Sequence, residues 1–259
     1  MQKIRSYFRA VSLVFVTFFG FSIFLPGLLL KPFGVDIDRW RHGAWTIWGY
    51  LCCKIFGIQL SVEGHAPNTP FILVCNHLSY TDTFILLRLT NGVLISKKDV
   101  RTWPVLGWMM DVMGIIFIDR SSRSDIFRVN EQIDQNLRPH QGIIFFPEST
   151  TSNGEGVLRF RTGLLAYAAE QGIPVHYASI NYETGDPEKP ARDYIHWWGD
   201  MTFFNHLLEL LAMQKFYASV TFGDFAIQDG DRKILANKLH EKVEKQYLNK
   251  KKQWHPVRN

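Results

Sequence analysis

Cysteine is scarce in this chain. Cys52, Cys53 and Cys75 are the only three in 259 residues, too few for a disulfide framework and without metal-ligand spacing. That scarcity suits a reducing, cytosol-facing compartment. No internal repeat or low-complexity tract is present, and no G-x-S-x-G segment, which counts against a serine hydrolase. Acid is in mild deficit: 29 Lys and Arg face 24 Asp and Glu, a formal charge of +5. A basic balance favours an anionic partner without choosing among nucleic acid, anionic lipid and phosphorylated metabolites. Aromatics are plentiful, with 20 Phe, 8 Trp and 9 Tyr, a combination suited to single-stranded nucleic acid or to a membrane interface. With 46% hydrophobic residues a well-filled core is expected, enough for one sizeable domain plus an accessory segment.

Ala10 to Leu30 carries no charge over twenty-one residues, long enough to cross a bilayer and longer than a typical signal-peptide core. No small-x-small cleavage site follows it. Lys3, Arg5 and Arg9 precede the run and Lys31, Arg39 and Arg41 follow it, so charge asymmetry sets no orientation. Ala44 to Ile58 is shorter, broken by Lys54 and rich in Trp and Tyr, which predicts a helix lying in the interface. Residues 1–57 therefore read as a membrane-associated helical hairpin, and 58–259 as the domain that follows it.

Past Gly57 the pattern becomes short apolar runs alternating with helical stretches. Strands are predicted at Ile58–Val62, Phe71–Cys75, Gly92–Ile95, Gly114–Ile118, Gly142–Phe146, Val175–Ile180 and Phe216–Phe222. Helices are predicted near Thr83–Leu89, Val100–Val112, Ser124–Leu137, Leu164–Gln171, Phe203–Met213 and Arg232–Leu248. The polar, turn-rich stretch Tyr182–Arg192 reads as a surface loop. The alternation predicts an α/β fold, a mixed central sheet flanked by helices and preceded by the hydrophobic hairpin.

Chemistry concentrates where apolar strands run into polar turns. FILVCNHLSYTD places His77 at a strand end with Asp82 five residues on. An acid at that distance can hold one imidazole nitrogen and leave the other free as a general base. The spacing alone is weak, because Ser79-x-x-Asp82 is also a capping-box pattern; the two readings are compatible. GIIFIDR places Arg120 after a second strand, and GIIFFPEST places Glu148, Ser149 and Thr150 after a third. Polar turns after α/β strands converge on one sheet edge. Arg120 there would grip phosphate, or else form a surface ion pair. Glu148 would hold a hydroxyl or orient Arg120, or else act as a turn cap.

At these residues the chain resembles the lysophosphatidic acid acyltransferases of the glycerolipid acyltransferase superfamily. Asn76-His77-x4-Asp82 matches the family's NHxxxxD motif, Gly114–Arg120 its second motif, and Phe146–Thr150 its FPEGT motif. Ile173-Pro174-Val175 sits where a fourth, proline-containing motif belongs, and Lys97 stands seven residues before Pro104 as in the family. Two departures stand out. Ser149 replaces the glycine of FPEGT, and no basic residue follows that motif, so Arg159 or Arg161 is expected to substitute. Tyr194 to Leu211 looks closest to a bacterial subgroup that includes lyso-ornithine lipid acyltransferases.

The resemblance implies an O-acyltransferase in phospholipid biosynthesis. His77 would deprotonate the free hydroxyl of 1-acylglycerol 3-phosphate, with Asp82 orienting the imidazole. Arg120, with Arg161 or Lys97, would bind the phosphate, while Glu148, Ser149 and Thr150 position the glycerol. Acyl-CoA or acyl carrier protein would donate the acyl group, with no metal and no bound cofactor. The expected partners are these donors, a lysophospholipid acceptor and the bilayer, with no nucleic acid. The expected location is the cytoplasmic face of the inner membrane, helped by basic residues of Asn249–Arg258. Another lyso-lipid acceptor, a membrane-anchored thioesterase and a non-enzymatic tether are the alternatives.

Overall fold

The computed structural model describes residues 2–103, 105–119 and 122–253. Arg120, Pro104 and the basic residues beyond Gln253 lie outside the described residues.

The chain opens with α1 (Gln2–Leu30), a single 3-10 turn, and α2 (Ile37–Phe56). Gly34, at φ 87°, makes the reversal between them, and Asp36 caps α2 by accepting from the N–H groups of Asp38 and Arg39. α1 has two faces. Gly20 and Gly27 leave room for the Trp48 and Trp40 rings of α2; a β-carbon on Gly27 would meet the Trp40 ring at 2.4 Å. The opposite face carries Ile4, Phe8, Val11, Phe15 and Phe18, all exposed and spaced four, three, four and three residues apart. α2 is less interfacial than its composition predicts. Ala44, Trp45, Cys52, Cys53 and Phe56 are buried, with Phe56 stacked on Phe84. Ile47 and Tyr50 point outward.

The α/β part follows as β1 (Ile58–Glu63), β2 (Ile72–Cys75), α3 (Thr81–Leu89), β3 (Gly92–Lys97), α4 (Lys98–Arg101), α5 (Leu106–Val112), β4 (Ile116–Ile118) and α6 (Arg123–Asn136). Then come β5 (Gly142–Phe145), α7 (Ala166–Glu170), β6 (Val175–Glu183), α8 (Ala191–Tyr194), α9 (Phe203–Ala212), β7 (Phe216–Phe222) and α10 (Arg232–Gln253). The seven strands form one sheet in the order β1-β7-β6-β2-β5-β3-β4. β6, β2, β5, β3 and β4 are mutually parallel; β7 joins β6 antiparallel and pairs parallel with β1. The sheet is thus mixed, as expected. β2 and β5 at its centre are buried along their whole length, which is why they read as unbroken apolar runs rather than alternating ones.

Three local expectations change. The single helix predicted over Val100–Val112 is two, α4 and α5, because Val105 adopts φ 61° between them, outside any helix. Tyr182–Arg192 is not wholly a loop: β6 runs on to Glu183 because β7 pairs with it as far as Glu183↔Tyr217, and Ala191 and Arg192 begin α8. Arg5 and Arg9 are not free flanking charges. Arg5 Nε donates to the Ala212 carbonyl at 3.0 Å, and Arg9 donates to Leu211, Met213 and Gln214 carbonyls at 3.2, 2.5 and 3.1 Å. They satisfy the otherwise open carbonyls at the C-terminus of α9 and suit the negative end of its dipole. Ser6 adds a bond to the Leu208 carbonyl at 2.7 Å. The start of α1 is therefore fastened to the α/β part.

Candidate active site

β2 delivers Asn76 and His77 to the edge where β5, β3 and β4 also end. Asn76 is buried and its amide closes on the backbone of β6, donating to the Ile180 carbonyl at 3.0 Å and accepting its N–H at 2.7 Å. The strand is thereby anchored at the point where the turn begins.

The His77 ring lies flat on Phe146, centroids 4.0 Å apart and planes 9° from parallel. Its Nδ1 is 2.8 Å from Asp82 Oδ2. The same oxygen accepts the N–H groups of Leu78 at 2.7 Å and Ser79 at 3.1 Å. Asp82 is fully buried and surrounded by donors, so the proton of the neutral ring sits on Nδ1 and the lone pair on Nε2. Half of the capping box is present: the Asp82 carboxylate takes the Ser79 N–H, whereas the Ser79 hydroxyl caps nothing. The group that starts the helix also holds the imidazole.

β5 brings Glu148 beside this turn. One carboxylate oxygen accepts the His77 N–H at 2.6 Å and the other the Leu158 N–H at 2.7 Å. Glu148 thus ties the histidine turn to the loop running from Ser149 to Arg161, and Ser152 N–H to His77 carbonyl at 3.0 Å ties it again. Burial pushes the Glu148 carboxyl up to about 8, against the pull of the two N–H donors, and the Asp82 charge adds to the rise.

Ser149 holds φ 65°, the left-handed backbone that glycine adopts without strain, so the serine preserves the turn at an energetic cost. Ser149→Gly is expected to leave turnover within about twofold. Ser149→Val, β-branched at positive φ, should cost about 1–3 kcal/mol in denaturant midpoint measurements. Equal stabilities for the two variants would contradict this account.

The remaining sequence-predicted residues lie farther out. Lys97 ends β3, two strands from β2 and so about 10 Å away across the sheet; it is exposed and 2.5 Å from Asp99. In register it faces Ile118, two residues before Arg120, which is outside the described residues. Thr150 is exposed, and so is Arg161, whose N–H donates to the Pro147 carbonyl at 2.9 Å. The structure brings His77, Asp82 and Glu148 together directly and leaves Lys97, Thr150 and Arg161 on the rim.

Sequence reasoning missed two kinds of neighbour. Tyr182 donates its hydroxyl to Asp82 Oδ1 at 2.6 Å, from a residue predicted to open a surface loop. Tyr80 lies edge-on against Trp197 and Phe203, and Trp103 lies tilted against Phe203 beyond, in an aromatic wall. Trp197 also donates its main-chain N–H to the Leu78 carbonyl at 2.9 Å. Tyr80 falls among the unspecified positions of the Asn76–Asp82 motif, the aromatic richness of 194–204 hints at Trp197 and Phe203, and no local signal marks Tyr182.

A buried acid and an imidazole with one nitrogen held and, among the described residues, no partner on the other suit deprotonation of a substrate hydroxyl. Comparisons with known proteins give the family. Residues 58–181 match the Acyltransferase family. The chain is 32% identical over 191 residues to a lyso-ornithine lipid O-acyltransferase of Pseudomonas aeruginosa, covering 74% of this chain and 70% of that one. It is 31% identical over 225 residues to a 1-acyl-sn-glycerol-3-phosphate acyltransferase of Neisseria gonorrhoeae, covering 85% and 87%. The fold matches the crystal structure of the 1-acyl-sn-glycerophosphate acyltransferase of Thermotoga maritima with a TM-score of 0.72 at 20% identity, over 98% of this chain and all of that one. With the His77–Asp82 pair and the FPEST turn set on this sheet edge, the chain belongs to the acyltransferase family and is an acyltransferase enzyme.

Proposed function

We propose that the protein transfers an acyl group from an acyl thioester, on coenzyme A or acyl carrier protein, to the free hydroxyl of 1-acylglycerol 3-phosphate, giving phosphatidic acid. The observation that carries the chemistry is the His77 ring, held on Asp82 through Nδ1 at 2.8 Å and flat against Phe146. Nε2 takes the hydroxyl proton as the oxygen attacks the thioester carbonyl. The tetrahedral intermediate collapses, the carbon–sulfur bond breaks, and the imidazolium returns its proton to the departing thiolate. Transfer is direct, so rate comes from proximity and from general-base catalysis. Lys97, Arg161 and Arg120 supply positive charge for the acceptor phosphate, and the turn at Ser149 and Thr150 receives the glycerol. No metal or bound cofactor takes part.

The acceptor lies in a bilayer, and we place the 1–57 hairpin in it. α1 is long and apolar enough to cross a membrane. Its first turns are nevertheless fastened to α9, which supports α1 lying along the domain; in our reading the Ile4–Phe18 stripe enters the cytoplasmic leaflet. Lys250 pairs with Glu63 and Lys251 donates to the Gly154 carbonyl, so the exposed Lys252 is the lysine at the end of α10 that adds attraction to anionic lipid. Phe8→Glu with Phe15→Glu is expected to lower vesicle co-flotation by about tenfold or more, each buried aromatic being worth about 1.5–3 kcal/mol. Unchanged flotation would overturn the placement.

A second acceptor has a specific observation behind it: the Pseudomonas aeruginosa relative named for lyso-ornithine lipid matches 74% of the chain. One assay separates the readings. The purified protein in detergent receives radiolabelled acyl-CoA or acyl carrier protein and a panel of lyso-lipids. Phosphatidic acid from lysophosphatidic acid supports the proposal. Product from lyso-ornithine lipid alone keeps the chemistry and changes the acceptor, and free fatty acid without any acceptor makes the enzyme a thioesterase.

A further inference from the structure

Resting on the reading of His77 as general base, we infer that Tyr182 is a positioning residue of the reaction, holding Asp82 and through it the His77 imidazole in place for proton transfer. The two oxygens of Asp82 are used very differently. Oδ2 accepts three donors, His77 Nδ1, Leu78 N–H and Ser79 N–H, all from its own turn. Oδ1 accepts the Tyr182 hydroxyl at 2.6 Å, from a strand one hundred residues away. The local bonds set where the carboxylate sits, and the bond to Oδ1 fixes its rotation and therefore the direction of the lone pair that receives Nδ1–H.

The direction of the Tyr182 proton follows from its partners. Thr81 Oγ donates to the phenol oxygen at 2.7 Å, leaving the phenol hydrogen to point at Asp82. Burial and the neighbouring Asp82 charge push the phenol well above its ordinary range, so it stays a donor at any working pH. Thr81, Tyr182, Asp82 and His77 thus form one chain of hydrogen bonds in a dry interior, where each bond polarises the next. β6 grips the catalytic turn at both ends: Ile180 closes on Asn76 where the turn begins, and Tyr182, two residues on, closes on Asp82 where it ends. The Tyr182 ring packs near His196 and Phe216, each with centroids 6.1 Å away, contacts that do not involve the hydroxyl.

Tyr182→Phe keeps the ring and removes the one oxygen. A carboxylate with one donor fewer attracts the imidazole proton more strongly, so the acidic limb of the kcat profile moves to higher pH, by about half a unit to one unit. Turnover at neutral pH falls about tenfold, as for loss of a hydrogen bond to a charged group. KM for both substrates stays within about twofold, because nothing that touches substrate has changed. A second variant, Thr81→Val, keeps the phenol and removes its orienting donor; the limb moves the same way by less. In an Asp82→Asn background Tyr182→Phe is expected to cost nothing further.

Kinetics on the full-length protein in detergent micelles, with acyl-CoA and the acceptor that the panel identifies, decide the matter. An unmoved limb with unchanged kcat, or a full additive loss in the Asp82→Asn background, overturns the role of Tyr182. Should Tyr182→Phe fail to fold, an unmoved limb in Thr81→Val does the same. Activity surviving His77→Ala removes instead the reading on which the inference rests, so the two failures are told apart.

Discussion

His77→Ala is expected to lower kcat by about a thousandfold or more while leaving the protein folded and bound to membranes. General-base catalysis by a positioned side chain contributes about 10²–10⁴ in rate. The surroundings of His77 suit it to act as that base. Phe146 fixes the ring plane, Asp82 fixes the tautomer, and Nε2 is left for substrate. The fold depends little on its ring, because the turn is held by main-chain bonds, from His77 N–H to Glu148 and from Ser152 N–H to the His77 carbonyl, which alanine retains. The variant should therefore elute, melt and float with vesicles like the parent. Asp82→Asn should lose activity together with some stability, because an amide cannot accept from every donor now aimed at that carboxylate. A His77→Ala protein retaining half its turnover would refute the mechanism.

Glu148→Gln is expected to lower kcat by about a hundredfold, through geometry rather than through lost charge at a substrate. Both carboxylate oxygens accept main-chain N–H groups, so in glutamine the amide nitrogen must face one of those donors. A buried donor left unpaired costs about 1–3 kcal/mol. The cost falls on the tie between the His77 turn and the Ser149–Arg161 loop. The same group gives a pH signature. Its carboxyl is raised to about 8 in the folded protein from an ordinary value of 4.5. The folded chain therefore favours the neutral form and holds a proton that the unfolded chain has released. This contribution to stability is full below pH 4.5 and is lost as the pH rises through about 8. Between those limits stability should fall by up to about 1.4 kcal/mol per pH unit from this group. Glu148→Gln should remove that component, so urea midpoints of parent and variant should converge toward pH 8.5. Parallel curves from pH 5 to pH 8.5 would show that Glu148 does not titrate in this way.

The His77–Asp82 pair and the Glu148 turn were legible in the chain because each is written locally. A buried strand must be a run of apolar residues, and the polar residues that end it fall at fixed offsets, as with Cys75 to His77 and Phe145 to Glu148. The positions of all seven strands, the apolar stretch of α1 and the Ser79–Asp82 spacing follow from the same short-range periodicities. Glu148 stood out as a polar residue after a buried strand, though not as a main-chain tie, since its partner N–H at Leu158 leaves no mark on the sequence.

Only tertiary structure decided the rest, and the separations explain why. Tyr182 meets Asp82 across one hundred residues, Asn76 meets Ile180 across 104, and Arg9 reaches the end of α9 across more than 200. Such contacts depend on which strands lie side by side, and the order β6-β2-β5 is set by packing of the whole sheet rather than by any local pattern. Residues 182–192 looked like loop because their own composition favours turns, yet pairing with β7 carried the strand through Tyr182. By itself the sequence determined the acyltransferase family, and it placed His77, Asp82 and Glu148 in turns that follow buried strands. The fold determined which distant residues hold that chemistry still, because a hydrogen bond made across the sheet is visible only once the sheet exists.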